Sequence, residues 1–422
     1  MAAGASPDPS PAPADPRPRL VVLGSGFAGY SLVSRLPKRL FRVTMVSPAN
    51  HFLFTPLLPS AAVGTVELRS ILEPVRRRRP WVELLEAEAE RIEFAARRVV
   101  CRSAISGEEF AVDYDRLLIA VGADVGDYGI PGVRRHALFL KTAGDARAIR
   151  QRVLAQLAGA EVPGLPDEEI ARRLTFVVCG GGATGVEAAA EIDDFLAGEM
   201  RRLHPELAPR SRVVLVEALG RLLGGFDEAL ATYTREHFVR AGIEVRTGQP
   251  VAAVEAGAVL LESGESIRCG AVIWAGGNTP RRVVAESGLE LDRGRIVVDS
   301  RLRVADHPGV WAAGDCAVVR EAPMPATAQV AQQQGKYLAR AFRRETAGRE
   351  VPPFSGKSMG MLAYIGGGVA LADLPQVKWS GRGAWLFWRS VYLTRLVSFA
   401  NKVKVLFDWI KAAAFGRDAS RF

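Results

Sequence analysis

Two glycine-rich runs, Gly24-Ser-Gly26-Phe27-Ala28-Gly29 and Gly180-Gly-Gly182-Ala-Thr-Gly185, hold three glycines each at a spacing that suits phosphate chemistry. The first glycine permits a tight turn, the second lets the backbone approach a pyrophosphate, and the third lets helix and strand pack closely. The helix N-terminus then turns free N–H groups toward the anion. One such run is weak evidence, since glycine turns are common; two, each between a strand and a helix, predict two dinucleotide sites. Glu217 ends RVVLVE after the second run, where a carboxylate can bind both ribose hydroxyls and repel a 2′-phosphate, favouring NADH over NADPH. Arg221 lies close enough to soften that preference, and a solvated strand-end charge is the plainer alternative for Glu217. The equivalent position after the first run is Ser47, a departure from the usual acid.

Other residues suggest chemistry less directly. Glu187 follows the third glycine of the second run by two residues and is expected on the first turn of its helix. There a carboxylate can handle a proton or simply favour the helix dipole. Gln329 and Gln333 stand at i, i+4, so two neutral amides on one helix face can hydrogen-bond a carbonyl substrate, or form a solvated polar face. Cys101, Cys179, Cys269 and Cys316 are far apart, with neither metal-ligand spacing nor a C-x-x-C pair, so no metal site is expected and a reduced compartment fits. A disulfide reductase of this architecture needs a cysteine pair beside its cofactor. No cysteine precedes Cys101, so electrons must leave by another route.

The elements that must position these groups read as β-α-β units: strand 19–23, helix 30–36 and strand 41–46, then strand 174–179, helix 186–195 and strand 212–216. Short strands ending in glycine, 117–122 and 271–277, bring Gly122 and Gly276 to the end of such sheets, and strand 310–313 leads into Gly314-Asp315. In two-dinucleotide flavoproteins the second nucleotide domain is inserted into the first, so a late Gly-Asp element is expected to return to the flavin domain. Asp315 would then open a helix and bind ribityl or phosphate-side hydroxyls, with an N-cap as its alternative. The expected fold is α/β: two Rossmann-like domains, a discontinuous FAD domain at 19–150 and 288–350 and an NAD(H) domain at 151–287. A C-terminal region at 351–422 follows, and residues 1–18, with six prolines, read as a disordered leader without a secretory or transit signal.

Of the net charge of +9, the segment 376–422 carries nine Lys/Arg against two Asp, which leaves the rest nearly neutral and argues against nucleic-acid binding. In AWLFWRSVYLTRLVSFANKVKVLFDWIKAAAFGRD, helical periodicity puts Trp385, Trp388, Tyr392, Leu396 and Phe399 on one stripe and Val403, Leu406 and Ile410 on another. No apolar run approaches the ~20 residues that span a bilayer. Aromatics opposite Lys/Arg suit a helix in the headgroup plane of an anionic membrane; a docking helix or a homodimer interface is the alternative.

These features resemble the type II, non-electrogenic NADH:quinone oxidoreductases, especially the mitochondrial branch. The most specific piece is Ser47-Pro48-Ala49-Asn50-His51 followed by FLFTPLLPSAAVGTVE, which is similar to the flavin-side segment of that branch, where serine also stands at the position of Ser47. The resemblance implies one non-covalent FAD held through Gly24, Gly26, Gly29 and Asp315, and NADH held through Gly180, Gly182, Gly185, Glu187 and Glu217. Phe27, Ala28, Ser47, Gly122, Gly276, Gly314 and Gln329 count among the cofactor-lining positions. The quinone motif A-Q-x-x-x-Q matches Ala328, Gln329 and Gln333, and Tyr392 falls where the branch has a tyrosine near the quinone. The implied reaction passes a hydride from NADH to FAD and two electrons to a membrane quinone such as ubiquinone, with Glu187, Gln329, Gln333 and Tyr392 as catalytic candidates. The implied location is peripheral, on the cytoplasmic face of a bacterial inner membrane or on the mitochondrial inner membrane. Sulfide:quinone reductases, ferredoxin-type reductases and redox-signalling flavoproteins are the rival readings.

Overall fold

RLVVL at Arg19–Leu23 is apolar without alternation, the pattern of a strand covered on both faces, and it forms the centre of a parallel sheet. The computed structural model describes residues 15–420. Residues 1–14, most of the expected leader, lie outside the described residues. The remainder of that leader is bound, because Arg17 donates to the Lys38 carbonyl (2.6 Å) and Arg42 N–H donates to the Pro18 carbonyl (3.0 Å).

The chain forms two compact units. The first comprises residues 15–50, Val75–Gly122 and Arg282–Gly356. Its seven-stranded sheet runs, in spatial order, Val310–Ala312, Arg116–Ile119, Arg19–Leu23, Arg42–Ser47, Glu83–Glu93, Arg98–Ser103 and Glu109–Asp113. The first five strands are parallel and the last three form an antiparallel meander. The helix Phe27–Val33 packs against the long helix Ala328–Thr346. Gly335 permits that approach, since a Cβ there would lie 2.3 Å from the Ala28 carbonyl oxygen.

The second unit comprises His51–Pro74, Ala123–Arg281 and residues 357–420. Its parallel sheet runs Leu138–Phe139, Ala271–Trp274, Thr175–Cys179, Arg212–Glu217 and Glu244–Thr247. These borders differ from the expected ones: residues 51–74 and 123–150 belong here. Leu138–Phe139 pairs with Ala271–Trp274, and the helix Ala143–Ala160 packs on Leu58–Ala62.

The C-terminal region also differs from expectation. It opens with an antiparallel sheet, Met361–Tyr364, Ala370–Asp373 and Lys378–Gly381, before two helices, Arg382–Arg395 and Phe399–Phe415. The expected single stripe through Phe399 is broken, because Leu396 leaves helical geometry (ψ 138°) and Ser398 caps a new helix by accepting from Asn401 N–H. Trp388 and Leu396 are buried, whereas Phe399 is 79% exposed.

Candidate active site

In the first unit Gly24 adopts φ +101°, and a Cβ there would stand 2.3 Å from the Ala120 carbonyl oxygen. A Cβ on Gly29 would stand 2.1 Å from the Gly24 oxygen, so both glycines are obligatory for packing. A Cβ on Gly26 would meet nothing within 4 Å, and Gly26 caps the helix Phe27–Val33 with no side-chain hydrogen bond. The open side of Gly26 is suited to the close approach of a pyrophosphate to the backbone at the start of that helix. Ser47 is buried with its hydroxyl 2.9 Å from that of Ser25, an uncharged pair where an acid is usual. Gly314 packs beside the two helices, where an added Cβ would stand 3.5 Å from Ala28 Cβ and 3.7 Å from Ala331 Cβ, and its N–H donates to Gln334 (2.7 Å). Asp315 opens no helix: it lies in the turn between Val310–Ala312 and Ala317–Val319, which removes the N-cap alternative. Gln329 and Gln333 are half-buried on Ala328–Thr346, so their face is not simply solvated.

The second unit repeats the cradle. Gly180 has φ +112° and lies against the Ala275 carbonyl, Gly185 against that of Gly180, and Gly182 faces open space as an N-cap without a side-chain partner. Glu217 reaches this loop: one carboxylate oxygen accepts from Gly181 N–H and the other from Leu219 N–H (2.7 Å). Arg221 is turned to its own loop, donating to the Gly224 carbonyl (2.7 Å). Gly276 leaves room for the Trp274 indole, which donates to the Gly126 carbonyl (2.8 Å).

Behind the cradle, the helix Ala183–Phe195 starts three residues earlier than expected. Glu187 therefore lies beyond the first turn, which contains no acid, so a capping role does not apply. Glu187 is 7% exposed and accepts from Tyr364 N–H (3.1 Å). Burial, reinforced by the charge of Glu191, pushes its carboxyl up to about 8. Tyr392 lies tilted against Trp388 (ring centroids 4.6 Å) and meets Phe54 edge-on (6.0 Å). Burial and the Glu187 charge hold its phenol well above the usual range, so it stays protonated. The structure thus joins Glu187 and Tyr392 electrostatically in one unit, and gathers the first glycine run, Gly314 and the helix of Gln329 and Gln333 in the other.

Sequence reasoning missed the partners around Glu187. Glu191 accepts from Ser60 (2.5 Å) and Thr65 (2.7 Å), both in the FLFTPLLPSAAVGTVE segment, and from Arg417 (3.4 Å). The available signal was VEAAAEI, in which two glutamates four apart share a face otherwise lined with alanine. The cysteines are buried without disulfides, and burial pushes Cys101 and Cys269 up to about 12 and Cys316 up to about 11, far from reactive thiolates.

Comparison with known proteins agrees with this geometry. Residues 18–335 match the pyridine nucleotide-disulphide oxidoreductase family, and residues 359–418 match the NDH2 C-terminal domain. A probable NADH dehydrogenase of Dictyostelium discoideum is 40% identical, the match covering 96% of this chain and 91% of that relative. An internal alternative NAD(P)H-ubiquinone oxidoreductase of Solanum tuberosum mitochondria is 36% identical over 96% of this chain and 88% of its own length. The solved structure of NDH2 from Plasmodium falciparum in complex with NADH superimposes with a TM-score of 0.92 at 25% identity, covering 96% of this chain and all of that one.

Proposed function

We infer the activity from a family membership that is now secure: the chain belongs to the pyridine nucleotide-disulphide oxidoreductases, in the type II NADH dehydrogenase branch, and is a non-proton-pumping, FAD-dependent NADH:quinone oxidoreductase. The observation that carries this reading is the pair of glycine cradles, each with an open middle glycine and an uncapped helix N-terminus, in a chain whose C-terminal region matches NDH2.

Bound FAD supplies the two-electron step that links nicotinamide oxidation to quinone reduction. Gly24, Gly26 and Gly29 fit its pyrophosphate, and Asp315, in its turn beside Gly314, would accept from its hydroxyls. Gly180, Gly182 and Gly185 fit the pyrophosphate of NADH. Each Glu217 oxygen already accepts one backbone N–H and keeps a lone pair for a ribose hydroxyl; a 2′-phosphate would meet this carboxylate with like charge. Gln329 and Gln333 would orient the quinone carbonyls through their amide N–H groups, Tyr392 would line the quinone's path, and Glu187 would hold a proton for the reaction. The exposed apolar face of Phe399–Phe415 would seat the molecule peripherally on a membrane.

The test uses FAD-loaded protein in lipid vesicles, with flavin absorbance and quinone-dependent NADH oxidation followed separately. NADH should bleach the flavin while sulfide, the substrate of the rival reading, does not. Gln333→Ala should slow quinone-dependent reoxidation by about tenfold, the equivalent of one lost hydrogen bond to the substrate, and leave bleaching intact. Equal loss of both steps removes Gln333 from the quinone site, and negligible quinone turnover by the unaltered protein overturns the reading itself.

A further inference from the structure

Oxidising NADH with a quinone gives NAD+ and quinol, and its balance takes up one proton. The hydride carries two electrons and one proton, whereas the quinol gains two electrons and two protons, so the second proton comes from solution. If Glu187 holds that proton, as the functional reading above has it, something must keep a carboxyl group protonated at neutral pH. The surroundings of Glu187 contain such a device one helical turn away.

Glu187 and Glu191 lie on the same face of the helix Ala183–Phe195 and are 7% and 2% exposed. Their partners are unequal. Glu191 takes the Ser60 hydroxyl on one oxygen and the Thr65 hydroxyl and Arg417 guanidinium on the other, all donors that favour the ionised form. Glu187 takes the Tyr364 N–H and faces the aromatic groups Trp388 and Tyr392 of the helix Arg382–Arg395. Arg417, 12% exposed, also lies 3.9 Å from Asp194, which accepts from the Tyr364 hydroxyl (2.5 Å) and Gly367 N–H (2.9 Å). Asp193, on the same helix, is raised to about 6 by burial and the charge of Asp194, and Arg389 adds a more distant positive charge that Glu191 and Tyr364 feel. Burial raises both glutamates, and the Arg417 guanidinium offsets part of that rise at Glu191, which has no counterpart at Glu187 among the causes that act there.

We propose that Glu191 is a positioning residue for the proton that the reaction draws from solution: anchored by Ser60, Thr65 and Arg417, its carboxylate opposes a negative charge on Glu187 and so keeps that group protonated during turnover. Two close carboxyls titrate as a pair, and the negative charge of the first to ionise delays the second. Ser60 and Thr65 of the segment 51–74, together with Arg417, therefore act on the protonation of Glu187 through Glu191.

The experiment compares the flavin-loaded protein with Glu191→Gln and Arg417→Gln in lipid vesicles, reading the pH profile of quinone-dependent NADH oxidation and the infrared C=O stretch of the buried protonated carboxyl. Glu191→Gln removes the opposing charge, so the alkaline limb and the infrared midpoint should both fall by about one pH unit, while flavin bleaching by NADH at neutral pH is unchanged. Arg417→Gln takes a cation from the pair, which then keeps its last proton to higher pH, so the midpoint should move the other way. Thr65→Val removes a donor from Glu191 and should follow Arg417→Gln; it serves if Glu191→Gln fails to fold. Profiles that superimpose on the unaltered protein, or that all move in one direction as general loosening would cause, overturn the proposal. The infrared titration needs no quinone, so its result stands apart from any failure of quinone turnover.

Discussion

Gly182 and Gly185 stand three residues apart on one turn, yet a methyl group added to each meets different surroundings. At Gly185 the new Cβ would lie 1.8 Å from the Gly180 carbonyl oxygen and 3.3 Å from Ala275 Cβ, so strand and helix must separate. Overpacking of this kind costs about 1–3 kcal/mol and is felt by the fold. At Gly182 the Cβ would meet nothing within 4 Å, and φ −70° with ψ 178° suits alanine. The methyl group would instead occupy the space where a pyrophosphate approaches the backbone. Gly182→Ala should therefore leave the melting temperature nearly unchanged and raise the KM for NADH roughly tenfold or more, equivalent to a loss of about 1.4 kcal/mol. Gly185→Ala should lower the melting temperature. Thermal denaturation and NADH titration of flavin bleaching, run on both variants, check the contrast; equal destabilisation by the two would show that the open space at Gly182 is not a ligand cradle.

The helix Ala183–Phe195 carries several buried acids, and burial holds one of them, Glu187, protonated, which gives the element its own pH dependence. The Glu187 carboxyl rises from the usual 4.5 to about 8 in the folded chain. Between those values the folded state binds a proton that the unfolded state has released. Its contribution to stability is thus full below about pH 4.5 and is lost as pH rises through about 8, at up to roughly 1.4 kcal/mol per pH unit. Glu187→Gln lacks that proton, so its stability should vary less steeply over this range; denaturant unfolding at several pH values measures the difference, and parallel curves would contradict a protonated Glu187. Much of this helix was legible in sequence, because the glycines that start it answer to local geometry. Its true start at Ala183 was not, since alanine and threonine carry no boundary signal, and the first turn was placed too late to see how deep Glu187 lies. The partners of Glu191 come from Ser60, Thr65 and Arg417, separated from it by more than a hundred residues, and tertiary packing alone brings them there. The sheet from Met361 to Gly381 was hidden for a different reason: the helical periodicity that follows it dominated the reading of the tail.

At the scale of the whole molecule, the net charge of +9 sits mostly beyond residue 376, on the region that also exposes the largest apolar side chains. One side of the helix Phe399–Phe415 is fixed to the second unit: Asn401 donates to the Leu72 carbonyl (3.0 Å), Asp408 accepts from Glu67 N–H (3.1 Å), and Val405 and Trp409 are buried. The opposite side presents Phe399, Val403, Leu406, Phe407 and Ile410 to the outside, with Lys402 and Lys404 among them. Among the described residues no helix is long and apolar enough to cross a membrane. An apolar face with lysines beside it matches the chemistry of an anionic bilayer surface, where hydrocarbon burial and charge attraction add. Leu406 and Phe407 together would contribute about 3 kcal/mol on burial, so replacing both with serine should weaken binding to anionic vesicles by roughly a hundredfold. Because both side chains are exposed, the melting temperature should hold. Added salt should weaken the unaltered protein's binding without abolishing it, as the apolar term is not screened. Vesicle sedimentation and analytical ultracentrifugation separate this from the alternative: if the double variant binds vesicles normally but turns a dimer into a monomer, the face is an interface between two copies of the chain and the membrane assignment fails.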